Sequence, residues 1–193
     1  MSSISFIKVA LAAAIARGVR QCVLIGSRSL LGETLESSPG QALRLFAVDE
    51  EQPSDSPATF VPTKFASEAL GTALEKSEFD TRKASLFVWL GGAGYRTLDA
   101  AMATLAFIAS LPRGSGVVFD YSVERISLGP VVHTALDGLA SKVMGVGGSV
   151  RHLIQPQAVA AMLRGLGFQQ IVDLAQEELR LGGRRLVSAV CEL

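Results

Sequence analysis

Residues that usually carry metal and nucleophile chemistry are scarce in this sequence, which has 2 histidines, 2 cysteines, 2 tyrosines and 1 tryptophan in 193 positions. His133 and His152 do not pair with another ligand at metal-binding spacing, so no zinc site is expected. No Ser-His-Asp arrangement can be drawn from the spacing either. Cys22 and Cys191 each lie in an apolar, strand-like run and neither belongs to a CxxC pair. They read as reduced core residues of a cytoplasmic protein. Net charge is also missing, because 18 basic side chains balance 18 acidic ones. That leaves no broad electrostatic footprint for nucleic acid or an anionic membrane. Long apolar runs are absent as well. The stretch over 9–16 is too short to span a bilayer, and Lys8, Arg17 and Arg20 are spread through the amino end rather than preceding it, so it does not read as a targeting signal. Phe6, Val9, Ala10, Ala13 and Ala14 follow helical spacing instead and predict a helix that packs on a sheet.

What is present suffices for a core: 49% of the residues are hydrophobic, and the length suits one domain over 1–193. The run Cys22, Val23, Leu24, Ile25 has no polar alternation, which predicts a strand buried on both faces, and it meets Gly26. A second apolar run over 43–48 ends in Asp49, about twenty residues further on, the spacing at which an acid reaches a nucleotide ribose. Strand, glycine turn, helix, strand and acid make a nucleoside-binding half, with the turn facing the crevice at the carboxyl end of a parallel sheet. The turn is poor in glycine, since Ser27, Arg28 and Ser29 follow Gly26 and the next glycine is Gly32. Gly26 therefore has two readings: a position of close ligand approach, or a residue that only lets the chain leave the strand.

Further strands are predicted over 58–62, 85–90, 117–121, 168–174 and 185–191, with helices after Gly32 and over 67–76, 97–109 and 157–165. A helix over 130–143 fits a weaker pattern. The loop Gly91, Gly92, Ala93, Gly94 lacks a following Lys-Ser/Thr, so it is no P-loop; it reads as a small-residue wall beside the same crevice. The two closing strands are joined without a clear crossover helix, which favours an antiparallel pair at the sheet edge. Tyr95 and Tyr121 stand at crevice-facing strand ends, where each either contacts a ligand or packs. An NAD-linked oxidoreductase would share the first half of this pattern, but the full three-glycine turn and a Tyr-Lys or histidine hydride apparatus are missing.

The stretches GVRQCVLIGSRS, LFAVDEEQP, FVPTKF, SEFDTRKASLFVWLGGAGYRT, PRGSGVVFDYS and LRGLGFQQIVDL follow one another between positions 18 and 174. In order and spacing they resemble the leucine carboxyl methyltransferase family, a branch of the class I S-adenosylmethionine-dependent methyltransferases. The resemblance implies an α/β, Rossmann-like class I methyltransferase fold: a seven-stranded, mostly parallel sheet with an antiparallel last strand and helices on both faces. It implies S-adenosyl-L-methionine as cofactor. Asp49 would then bind the ribose hydroxyls, and Gly26, Ser27 and Arg28 would form the cofactor turn. Lys64 and Phe65 would stand after the third strand, near the adenine, with Leu90 and Gly91 opening the loop after the fourth.

The sequence departs from that family at several of these positions. Arg28 stands in place of the second glycine, Lys64 in place of an aspartate that contacts the adenine amine, and Leu90 in place of a glutamate. Lysine cannot accept the adenine hydrogen bond. The family's arginine for the methionine carboxylate belongs to a segment ahead of the helix that opens this sequence, so that contact is expected to be lost. Arg28 is then either a substitute partner, offering two parallel bonds to a carboxylate, or a surface or site-plugging residue.

The function implied is O-methyl transfer to a carboxylate or hydroxyl of a small-molecule or protein acceptor, with neither nucleic acid nor membrane as partner. A carboxylate acceptor needs little acid-base help, so catalysis would be mostly positioning and no catalytic residue is assigned. His133 is either a general base or a capping or surface histidine. The alternative is a degenerate, non-catalytic domain that serves as a binding or oligomerisation module, for which a homodimer fits.

Overall fold

Apolar runs without polar alternation become strands hidden on both faces, and the computed structural model, which describes residues 2–26, 43–52, 57–64, 69–90, 98–123, 156–175 and 183–191, shows this at the sheet centre. Every position of β1 (Gln21–Ile25) and β4 (Ser85–Trp89) is buried. The other strands are β2 (Arg44–Asp49), β3 (Thr59–Pro62), β5 (Gly116–Val123), β6 (Gln170–Ala175) and β7 (Gly183–Val190). The helices among the described residues are α1 (Ser3–Ala16), α2 (Leu70–Glu75), α3 (Leu98–Ser110) and α4 (Pro156–Gly165).

The strands form one seven-stranded sheet in the order β3-β2-β1-β4-β5-β7-β6. β1 pairs in parallel with β2 and β4, β2 with β3, and β4 with β5. β7 is antiparallel to both of its neighbours, β5 and β6. The closing strands are thus an antiparallel pair, as a connection too short for a crossover requires. The pair stands at the sheet edge as expected, with β7 turning back between β5 and β6, so that β6 is outermost. β5 also continues past position 121 to Val123, because β7 pairs with it along its whole length.

Alternate strand residues feed two cores. Val23, Ile25, Phe46, Val48 and Phe87 face α2, α3 and α4, which contribute Leu70, Leu74, Leu105, Ile108, Val159 and Leu163. Cys22, Leu24, Leu45, Ala47, Leu86 and Val88 face α1, which contributes Phe6, Ile7, Leu11 and Ala14. The face that α1 buries is therefore rotated from the expected one. Phe6 and Ala14 are inside as predicted, but Val9 is 61% exposed and Ala13 is exposed, while Ile7 and Leu11 are buried. A helix that is apolar nearly all round does not declare its face by spacing.

Local chemistry sets the ends of α1. The Ser5 N–H donates to Ser2 Oγ at 3.2 Å, an N-cap, and Gly18 at φ +93 turns the chain out of the helix with its N–H on the Ile15 carbonyl at 2.9 Å. Among the described residues, no helix is long and apolar enough to cross a membrane.

Candidate functional site

Parallel strands deliver their carboxyl ends to one rim, and the register fixes which residues meet there. Ile25 pairs with Val48 on one side and Trp89 on the other. Gly26 follows at φ +59, and its N–H donates to the Val48 carbonyl at 3.0 Å, so the ladder runs one bond past β1 before the chain leaves. That left-handed backbone suits glycine and puts no Cβ at the strand end.

β2 ends in Asp49, which is 9% exposed and whose Oδ1 accepts from the Glu50 N–H at 2.7 Å. The Asp49 carbonyl accepts from the Thr63 N–H at 3.1 Å, just past its pairing with Pro62. Thr63 is 4% exposed, and its Oγ1 has no hydrogen-bond partner among the described residues. A buried hydroxyl left unsatisfied costs about 1–3 kcal/mol, so a ligand that bonds it gains accordingly. Lys64, the next residue, is exposed. On the opposite side of β1, Leu90 follows Trp89 and packs half-buried against the α1-side core.

Gly26, Asp49, Lys64 and Leu90 therefore share one rim across β3, β2, β1 and β4. Ser27, Arg28, Phe65 and Gly91 lie outside the described residues, as do Tyr95, His133 and His152. Thr63 was missed in favour of its neighbour Lys64. The signal for it is the period of two: Val61 and Thr63 are buried while Pro62 and Lys64 are exposed.

Past β4 the same rim carries aromatic rings on the α3 and α4 face. Phe119 lies between Trp89 and Tyr121, with ring centroids 6.2 Å from each. The Tyr121 hydroxyl donates to Asp173 Oδ2 at 2.7 Å, and Arg185 Nε donates to Asp173 Oδ1 at 2.8 Å. Burial, and then the bond to Asp173, hold the Tyr121 phenol protonated well above its ordinary range. The Asp173 bond likewise holds the Arg185 guanidinium charged. Sequence reasoning placed Tyr121 at the crevice but passed over Asp173 and Arg185. Their signal is a single charge on the inward-facing register of each closing strand.

The glycine turn, the acid at the end of β2 and the unsatisfied hydroxyl at the end of β3 are points where a nucleoside can be held. No protein-family model and no curated protein sequence matches the chain. Its fold does match solved structures. A SAM-dependent methyltransferase from Archaeoglobus fulgidus is 15% identical, with a TM-score of 0.57 over 98% of this chain and 95% of that one. The N-methyltransferase NodS from Bradyrhizobium japonicum WM9 is 13% identical, with a TM-score of 0.55 over 98% and 96%. The 1,6-didemethyltoxoflavin-N1-methyltransferase of Burkholderia thailandensis, solved with 1,6-didemethyltoxoflavin and S-adenosylhomocysteine bound, is 14% identical, with a TM-score of 0.54 over 99% and 82%. The chain has the Rossmann-like fold of these S-adenosylmethionine-dependent methyltransferases.

Proposed function

We propose that the protein is an S-adenosylmethionine-dependent O-methyltransferase acting on a carboxylate or hydroxyl acceptor. The observation that carries this reading is the rim at which Gly26, Asp49 and Thr63 meet, on a fold whose solved neighbours include one holding S-adenosylhomocysteine. When bound, the cofactor supplies an electrophilic methyl on its sulfonium. The chain's own part is to hold it: Asp49 accepts from the ribose hydroxyls, Thr63 Oγ1 gains the partner it lacks, and Gly26 admits the ligand to the backbone. Ser27, Arg28, Phe65 and Gly91 are the proposed remaining contacts. Catalysis is then chiefly orientation of the acceptor in line with the methyl group.

The order and spacing of the motif stretches support the leucine carboxyl methyltransferase branch, and with it a carboxylate acceptor on a small molecule or protein. Two free, buried cysteines fit the cytoplasm. Calorimetric titration with S-adenosylhomocysteine is the test. Binding is expected, weakened at least about tenfold in Asp49→Ala, and no heat at millimolar ligand would overturn the reading.

A second reading, a non-catalytic homodimerising domain, draws on the exposed Ile4 (38%) and Val9 of α1. Sedimentation showing a dimer that binds no S-adenosylhomocysteine would favour it, and a ligand-binding monomer would exclude it.

A further inference from the structure

Tyr121, Asp173 and Arg185 form a polar cluster that the nucleoside rim does not use. Trp89 pairs with Phe119, so Tyr121 stands two residues past the end of β4, and Arg185 pairs with Tyr121 on β7. The cluster is therefore at the carboxyl rim of the parallel strands, on the far side of β4 from Gly26 and Asp49. At the usual strand spacing it spans about 10–20 Å along the rim from β1, from Tyr121 on β5 to Asp173 on β6. Small ligands of open α/β sheets occupy the crevice outside that rim.

The bonding within the cluster is specific in what it leaves over. A guanidinium and a carboxylate commonly join through two parallel bonds. Here Asp173 gives Oδ1 to Arg185 Nε, while Oδ2, which a second guanidinium arm would take, accepts from the Tyr121 hydroxyl. Among the described residues the guanidinium is engaged by Asp173 and the Tyr121 hydroxyl and by no second carboxylate, and 26% of its side chain reaches solvent. Asp173 is thus bonded on the Nε side of the guanidinium, with Tyr121 on its other oxygen, and the outer Nη1/Nη2 edge is the one that matches a planar oxyanion.

We propose that Arg185 anchors a carboxylate of the methyl acceptor, with Asp173 and Tyr121 as positioning residues. This rests on the methyltransferase reading above and names the acceptor class: a small monoanionic acid with a second oxygen that takes the methyl. Oxygens held by two guanidinium bonds are poor nucleophiles, so the anchored carboxylate is the handle. Asp173 already balances the charge of Arg185, so a monoanion is matched better than a dianionic phosphate.

The test uses the full chain saturated with S-adenosylhomocysteine and titrated with benzoate, its uncharged isostere benzamide, and phenyl phosphate. Benzoate is expected to bind, benzamide not to, and phenyl phosphate to bind more weakly than benzoate. Arg185→Gln should weaken benzoate at least about tenfold, and Arg185→Lys, which keeps the charge but loses the fork, should do likewise. Tyr121→Phe removes the bond that fixes Asp173 Oδ2 and so frees Asp173 and Arg185 to re-pair in another orientation, which should weaken benzoate while leaving S-adenosylhomocysteine binding in place; a merely structural tyrosine would not separate the two ligands. No benzoate binding in the wild type, equal binding of benzamide, tighter binding of phenyl phosphate, or unchanged benzoate affinity in both folded Arg185 variants would each overturn the proposal. S-adenosylhomocysteine titrated alone separates the two readings. Arg185-dependent benzoate binding without nucleoside binding removes the methyltransferase and keeps the anchor, and the reverse result removes only the anchor.

Discussion

The Tyr121 hydroxyl donates to Asp173 Oδ2 at 2.7 Å, joining β5 to β6 over β7, the strand that separates them. Hydrogen bonds to charged groups contribute about 1.5–3 kcal/mol, so Tyr121→Phe should lower unfolding stability by about 2 kcal/mol near neutral pH. The pH dependence has a definite sign. Burial and Asp173 raise the folded-state phenol above its ordinary value of about 10, so its contribution is complete below that pH and is lost as pH climbs past it. Urea unfolding at pH 8 and pH 11 should show a larger alkaline loss for the wild type than for Tyr121→Phe. Equal losses would mean that the buried phenol is not protonated preferentially in the folded state.

At the opposite rim, one side chain ties three segments together. Gln21 Nε2 donates to the Asp80 carbonyl at 2.9 Å and to Ser85 Oγ at 3.0 Å, and its Oε1 accepts from the Asp80 N–H at 3.0 Å. Gln21 is 1% exposed, so Gln21→Leu leaves the buried Ser85 hydroxyl and the half-buried Asp80 peptide groups without these bonds. We expect a loss of about 2–4 kcal/mol, read as a lower urea midpoint with an unchanged slope. A midpoint equal to that of the wild type would show that water replaces the amide at no cost.

Gln21 also marks how far the sequence can be read. The central strands were legible because burial on both faces leaves a continuous apolar run, and Cys22 to Ile25 has no other ready interpretation. Gln21 belongs to the same strand, yet its polarity hid it, since only the fold brings Asp80 and Ser85 within reach. α1 was legible as a helix but not in its buried face, for Val9 and Leu11 are equally apolar and only contact with the sheet decides between them. At the site, Gly26 and Asp49 were found from strand ends and spacing. For Thr63, Asp173 and Arg185 the local pattern gives at most the strand face on which each stands; which residues they meet depends on register across strands distant in sequence, which no local pattern carries.

The cysteines supply a test of both cores at once. Burial pushes the Cys22 thiol up to about 12 and raises that of Cys191 as well, and the two lie on opposite faces of the sheet. Thiolate, not thiol, is the reactive form, so neither should react rapidly with Ellman's reagent at pH 8 in the folded protein, while both should react on addition of guanidinium. A rapid equivalent from the native protein would locate a face that opens readily.

The unsatisfied hydroxyl of Thr63 allows the cofactor rim to be tested without disturbing Asp49. Thr63→Val removes the hydroxyl and keeps the shape, and because Oγ1 has no partner among the described residues, the free protein should lose no stability and should gain up to about 1 kcal/mol. If that hydroxyl is kept for a nucleoside, the same change should weaken S-adenosylhomocysteine about tenfold, so stability and affinity move in opposite directions. A variant that is both less stable and unchanged in affinity would place the Thr63 bond within the protein. The opposed result is the informative one, because a residue that served packing alone would not weaken ligand binding while the fold grows firmer.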